Sequence, residues 1–187
     1  MNIIPTAIKE VLIIEPDVFG DKRGFFMETY HQGRYRQAGI VRDFVQDNLS
    51  FSVKNTLRGL HFQIARPQAK LVQVISGEIY DVAVDIRSGS ATFGQWVGVY
   101  LSSETKRQLF IPEGFAHGFC VISETALFMY KCSDFYSSGD EGGILWSDPA
   151  LGIEWPAAEP IVSDKDMRFS RLSALQPHQL PHDKVQP

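Results

Sequence analysis

The sequence predicts an all-β fold, an antiparallel sandwich or barrel with a few short peripheral helices. Three observations carry this. Short apolar or alternating runs recur along the 187 residues, turn residues stand between them, and helical periodicity is scarce. The first run, 11–14, is continuously apolar, and 25–28 follows with two phenylalanines. The segment 29–38 is the one clear helical candidate, ended by Gly39. Strand patterns then occupy 44–51, 56–62, 70–75, 78–86, 96–101, 108–111, 117–122 and 126–132. Ser76-Gly77, Arg87-Ser88-Gly89-Ser90, Pro112-Glu113-Gly114, Ser137-Ser138-Gly139-Asp140 and Asp148-Pro149 supply the turns. A further helical turn is expected around 168–175. No linker divides the pattern, so 1–175 reads as a single domain. The stretch 176–187, with three prolines, reads as a loosely ordered tail.

Composition bounds the function. The chain is 44 % hydrophobic and 21 % charged, which is ordinary for a globular protein. Its net charge of −4 gives no electrostatic footprint for nucleic acid. No run approaches the roughly 20 apolar residues that span a bilayer, and the first fifteen residues lack signal-peptide organisation, so a cytoplasmic protein is expected. Cys120 and Cys132 lie in apolar runs and read as reduced packing residues. There is no nucleophile elbow, phosphate-binding loop or dinucleotide fingerprint.

Alternation assigns faces. In 78–86, Asp81, Ala83 and Asp85 oppose Tyr80, Val82, Val84 and Ile86. An inward Asp81 face would line a polar cavity, and an outward one would be merely solvated. In 126–132, Ala126, Phe128, Tyr130 and Cys132 share a face. His31 in the helical segment reads as a surface residue, and His178 and His182 lie in the tail. His61 and His117 sit among apolar residues and glycines; either alone reads as a core histidine, while the two together point to a cavity. Arg58 and Lys70 interrupt apolar strands near His61, where an anionic ligand would offset their burial. No His-x-His or His-x-Glu spacing suggests a metal, although Glu78 or Asp81 could complete one in space.

The chain resembles the dTDP-4-dehydrorhamnose 3,5-epimerase family from about residue 5 to 166. The resemblance is carried by Asp21-Lys22-Arg23-Gly24-Phe25-Phe26-Met27-Glu28, Phe44-Val45-Gln46-Asp47-Asn48, Leu57-Arg58-Gly59-Leu60-His61-Phe62-Gln63 and Gln68-Ala69-Lys70. Gly77-Glu78-Ile79-Tyr80-Asp81, Pro112-Glu113-Gly114-Phe115-Ala116-His117-Gly118, Tyr130-Lys131-Cys132 and Trp146-Ser147-Asp148-Pro149 complete it. It implies a double-stranded β-helix (a cupin-like jelly roll), a homodimer, a dTDP-sugar substrate, and no metal or organic cofactor. The implied reaction inverts C3 and C5 beside a C4 ketone. By resemblance His61 is the base, Tyr130 the acid and Lys70 the partner of the enolate oxygen. Asp166 orients the imidazole, with Asp81 as second candidate. Arg23, Arg58 and His117 match positions that meet the diphosphate and sugar, and Gln46 and Asn48 match the thymidine segment. Phe26 and Glu28 match residues reaching across the dimer, and Glu141 and Lys165 are further contacts. The chain departs from the family pattern in a slightly shorter 64–69 connection and after Asp166, beginning Met167-Arg168-Phe169.

Strict alternation places Arg58 and His61 on opposite faces. If both enter one cavity, the strand must bulge near Gly59. The alternatives are a C3-only epimerase of the same fold, a metal-dependent cupin enzyme, and a sugar-nucleotide sensor without activity.

Overall fold

The computed structural model describes residues 1–181. In chain order the elements are β1 (Asn2–Pro5), β2 (Leu12–Glu15), β3 (Val18–Asp21), β4 (Gly24–Met27), α1 (Gln32–Gln37), β5 (Gln46–Val53), β6 (Thr56–Gln63) and β7 (Lys70–Ser76). They continue as β8 (Glu78–Asp85), β9 (Trp96–Ser102), β10 (Gln108–Ile111), β11 (Phe115–Val121), β12 (Thr125–Cys132), β13 (Glu141–Gly143) and β14 (Ile161–Val162). One sheet runs β1-β2-β10-β7-β12-β5, and the other β13-β6-β11-β8-β9, with β14 added to β6. Every pairing is antiparallel except β14–β6. The two open sheets face each other as a jelly-roll sandwich, the expected fold class.

Both faces of the central strands are buried, each for its own reason. Between the sheets, Val72 and Val74 of β7, Phe128 of β12, Ile79 and Ala83 of β8, and Phe115, Phe119 and Val121 of β11 form one core. Asp81 and Asp85 share that inner face with Ala83, and both are fully buried. The opposite β8 face, Tyr80, Val82 and Val84, packs with Leu60 and Phe62 beneath Ile144, Leu151, Leu172 and Leu180. On the other sheet, Ile14, Leu71 and Phe110 are covered by Tyr35 of α1 and by Ile40.

The helix expected over 29–38 is confined to α1, because the His31 side chain accepts the Arg34 N–H and caps its start. Gly39, at φ +90°, ends it in a conformation that L side chains resist. The expected turn over 168–175 resolves into 3-10 turns at Asp166–Arg168 and Leu172–Ala174. β1, β3, β13 and β14 carry two to four residues each, too few for a periodic signal. The expected loose tail is corrected as far as Pro181. Pro177–Gln179 form a 3-10 turn, Leu180 is buried against the second sheet, and the Ser88 N–H donates to Pro181 O at 2.9 Å. One apolar side chain suffices to dock this segment. The rest of that tail, 182–187 with His182, lies outside the described residues.

The feature that builds the site is a bulge. His117 pairs with His61 and Phe119 with Arg58, so two steps along β11 are matched by three along β6. The extra residue brings Arg58 and His61 to the same face of β6. There His61 lines the cavity described below, while Arg58 stays exposed outside its lining, bonded to Ser52 of β5. Gly59 makes this possible at φ +114°, and a Cβ there would lie 2.6 Å from Gly118 Cα and from His117 O. Gly59→Ala should therefore lower stability by about 2–4 kcal/mol through backbone strain and overpacking. Urea unfolding measures it; an unchanged midpoint would mean that the bulge tolerates a side chain.

Candidate functional site

A cavity of about 270 Å³ opens between the sheets, lined by side chains of β5, β6, β7, β12 and β13 together with Gln68 and Tyr136. Of the expected residues, Gln46, Asn48, His61, Lys70, Tyr130 and Glu141 line it. Period-two alternation explains the set. Gln46 and Asn48 alternate with the exposed Asp47 and Leu49, Lys70 with the buried Leu71, and Tyr130 with Met129.

His61 Nε2 lies 2.8 Å from Asp166 Oδ1. The second oxygen of Asp166 accepts the Gly59 N–H at 3.1 Å, so one carboxylate holds both the bulge and the imidazole. With Asp166 accepting from Nε2–H, the lone pair resides on Nδ1. Burial alone would raise the Asp166 carboxyl. The His61 hydrogen bond and charge, the Gly59 N–H and Lys165 outweigh it and hold Asp166 below the usual aspartate range.

Asp81, the second candidate for orienting His61, is corrected. It holds His117 instead, with both oxygens 2.9–3.0 Å from His117 Nε2. The reason is register, because β8 pairs with β11 and Asp81 faces Phe119, two residues from His117. His117 is itself buried outside the cavity lining, where desolvation lowers its basicity against the pull of Asp81. It stands across from His61 as a strand neighbour.

The Lys70 ammonium makes no hydrogen bond or ion pair with another described residue. Burial lowers its ammonium from the usual lysine range, against the pull of Cys132, Asp81 and Glu141. Burial pushes the Tyr130 phenol up to about 12, with Cys132 adding to the shift and Arg58 opposing it. Arg58 donates from Nε to Ser52 Oγ at 3.0 Å. At the mouth, Glu141 accepts from Lys165 Nζ at 2.9 Å and from the Tyr136 hydroxyl at 3.1 Å. Burial would raise Glu141, but the Lys165 hydrogen bond, nearby His61 and Tyr136 together lower it.

Arg23, Phe26 and Glu28 do not reach this cavity. They belong to the β3–β4 hairpin and the residue after it, where Arg23 pairs with Asp21, Glu28 with Arg34, and Phe26 is 66 % exposed. Sequence reasoning missed Phe62, Gln63, Gln68, Cys132 and Tyr136 as lining residues. Cys132, read as packing, is buried yet faces the cavity, and accepts a weak hydrogen bond from Asn48 Nδ2 at 3.6 Å. Alternation from His61 to Gln63 and from Tyr130 to Cys132 could have found two of the five. Gln68 and Tyr136 lie in loops without a period. Among the described residues, no three His, Cys, Asp or Glu side chains gather so as to hold a metal ion, and no helix is long and apolar enough to cross a membrane.

The family described as dTDP-4-dehydrorhamnose 3,5-epimerase matches residues 5–174. The chain belongs to this family. A dTDP-4-dehydrorhamnose 3,5-epimerase of Shigella flexneri is 59 % identical over 174 residues, covering 92 % of this chain and 96 % of the relative. The crystal structure of a dTDP-6-deoxy-D-glucose-3,5-epimerase from Legionella pneumophila Philadelphia 1, in complex with dTDP-4-keto-L-rhamnose, superposes with a TM-score of 0.95. It is 52 % identical and covers 97 % of each chain. A dTDP-4-dehydrorhamnose 3-epimerase of Streptomyces niveus is 40 % identical over 168 residues, 89 % of this chain and 81 % of that one.

The lowered Asp166 acidity has a consequence for stability. A carboxyl depressed in the folded state stabilises the fold above its unfolded pKa of about 3.9 and loses that contribution as pH falls through the lower folded value. Wild-type protein should thus lose more stability than Asp166→Asn between about pH 5 and pH 3. Chemical denaturation across that range checks the slope; equal slopes would remove the carboxylate's role in the fold.

Proposed function

We propose that this family member epimerises dTDP-4-dehydro-6-deoxy-D-glucose at C3 and C5, giving dTDP-4-dehydro-L-rhamnose. The observation that carries the reading is a carboxylate-held imidazole and a protonated phenol, without a hydrogen-bond partner among the described residues, lining one cavity with a lysine. Protons on carbons flanking a ketone are acidic because the carbonyl accepts the electron pair. His61 Nδ1 removes such a proton, the C–H pair moves into the C4 carbonyl, and Lys70 stabilises the enolate oxygen. Tyr130 then delivers a proton to the opposite face of the same carbon. Exchange with solvent resets both groups, and the cycle repeats at the second centre. Proton transfer of this kind draws on no cofactor.

The placement of the remaining residues supports a nucleotide half. Gln46 and Asn48 present amides suited to a base, and Arg58 and Lys165 supply cations for a diphosphate. His117 contributes from behind, through its bond to Asp81 and its place beside His61. The greater identity to the double epimerase of Shigella flexneri than to the 3-epimerase of Streptomyces niveus favours inversion of both centres. A charged nucleotide sugar does not cross a bilayer unaided, which supports reaction in the cytoplasm.

A homodimer is part of the same proposal. Leu49, Phe51 and Val53 are exposed on the outer face of edge strand β5, and Phe19, Phe25 and Phe26 on the isolated hairpin. A two-stranded hairpin is marginal by itself, and a second copy covering it would bring Arg23, Phe26 and Glu28 toward a neighbouring cavity. Sedimentation should give twice the chain mass, and Phe51→Lys should shift it toward monomer; a monomeric wild type would overturn this part.

The catalytic test is proton NMR in D₂O. Deuterium should enter at C3 and C5 of the substrate as the L-lyxo keto sugar forms. His61→Asn should slow both exchanges by roughly 10³-fold, while dTDP binding is kept. Tyr130→Phe should retain some exchange but impair inversion. Exchange at C3 alone selects the single-centre reading, and no exchange at either carbon discards epimerisation.

A further inference from the structure

Gly143 stands directly across from His61 in the β13–β6 pairing. Opposed residues of an antiparallel pair project side by side on one face, so any side chain at 143 would stand beside the imidazole. That place is filled from elsewhere. The Phe169 ring occupies it, with Cε2, Cζ and Cδ2 only 2.3–2.5 Å from where a Gly143 Cβ would be. The same ring meets His61 edge to face, with centroids 5.8 Å apart and planes at 71°.

Phe169 lies three residues after Asp166, so one short segment reaches His61 twice, by a hydrogen bond to Nε2 and by an aromatic edge. The segment is tied at both ends. Asp166 Oδ2 accepts the Gly59 N–H, and Ser170 O accepts the Leu145 N–H at 2.9 Å. A single hydrogen bond leaves an imidazole free to rock about Cβ–Cγ, a torsion with a broad energy well. A ring packed over a glycine and against the imidazole removes that freedom.

We propose that Phe169 is a positioning residue for the reaction: seated on the bare backbone of Gly143, it sets the plane of the His61 ring and hence the direction of the Nδ1 lone pair. This inference rests on the epimerase reading and deepens it. Phe169 touches His61 and lies outside the cavity lining, so it acts through the base alone. A rotation of the lone pair away from the substrate C–H bond lowers the rate of proton abstraction without weakening the hold on the nucleotide.

The experiment compares wild type, Phe169→Ala and Phe169→Leu by solvent deuterium exchange at C3 and C5, by dTDP binding, and by the ring ¹⁵N resonances of His61 in ¹⁵N-histidine protein without substrate. Phe169→Ala should lower kcat roughly 10- to 100-fold, with KM and dTDP affinity within about two-fold of wild type. Its His61 ring signals should broaden or average where those of wild type are single and sharp. Phe169→Leu, which refills the space over Gly143, should recover part of kcat. Unchanged kcat and ring signals in Phe169→Ala would overturn the proposal, as would loss of dTDP binding in step with rate. Should Phe169→Ala fail to fold, Phe169→Leu decides: a lowered kcat at constant KM supports positioning, and wild-type kcat with unaltered ring signals refutes it. A wild type that exchanges neither carbon would refute the epimerase reading instead, while the ring resonances still report on Phe169.

Discussion

The site depends on one irregularity in an otherwise regular sheet, the extra residue of β6 at Gly59. Without it, Arg58 and His61 would project to opposite faces, since side chains alternate along a strand. One of the two would then enter the apolar layer that holds Leu60 and Phe62 beneath the C-terminal segments. Gly118 on the neighbouring strand lacks a Cβ where one would lie 2.7 Å from Arg58 O, so the two glycines form a matched close approach. Asp166 completes the arrangement by accepting the Gly59 N–H exposed by the bulge. The same carboxylate therefore satisfies a buried donor and fixes the imidazole, which ties fold to chemistry through a single side chain.

Around that point the sheets work as two-sided supports. Their inner faces give an apolar core from Phe115 to Phe128 and turn polar toward the cavity, where Asn48, Lys70 and Tyr130 replace hydrocarbon. The outer faces need cover, because central strands are apolar on both sides. Helix α1 and the 40–44 region cover one sheet, and residues 144–180 cover the other. The second cover does more than shield, since it carries Asp166 and Phe169 to the back of His61. A segment whose sequence shows only a short helical turn around 168–175 is thus what holds the proposed base.

Much of this was legible in the sequence. The β8 alternation predicted two distinct faces and the structure buries both, with Asp81 inward. The shared face of Phe128, Tyr130 and Cys132 is real, and alternation made a bulge near Gly59 the condition for Arg58 and His61 to share a face, a bulge that the β11–β6 register shows. What stayed hidden was spatial partnership. Nothing local distinguishes Asp81 from Asp166 as the companion of His61, because the choice is made by strand order, with β8 beside β11 and the Asp166 turn behind β6. Gln68 and Tyr136 sit in loops whose backbone has no period to read. Phe169 has no signal at all in one dimension, since its place is defined by a missing side chain 26 residues earlier.

Burial then separates the roles of groups that in water would differ less. It penalises charge, so it pushes the Tyr130 phenol up to about 12 and weakens the Lys70 ammonium. In the proposed enolate reaction the two effects would serve opposite needs. A phenol that resists ionisation would stay loaded as the proposed acid while the proposed base works. An ammonium short of hydration and of a hydrogen-bonded protein partner is stabilised most when negative charge appears on an adjacent oxygen. The neutral ketone offers little such charge and the enolate offers much, so the interaction grows along the reaction coordinate, which is the condition for lowering a barrier rather than tightening ground-state binding. Cys132, Asp81 and Glu141 oppose the effect of burial and limit how far that ammonium weakens.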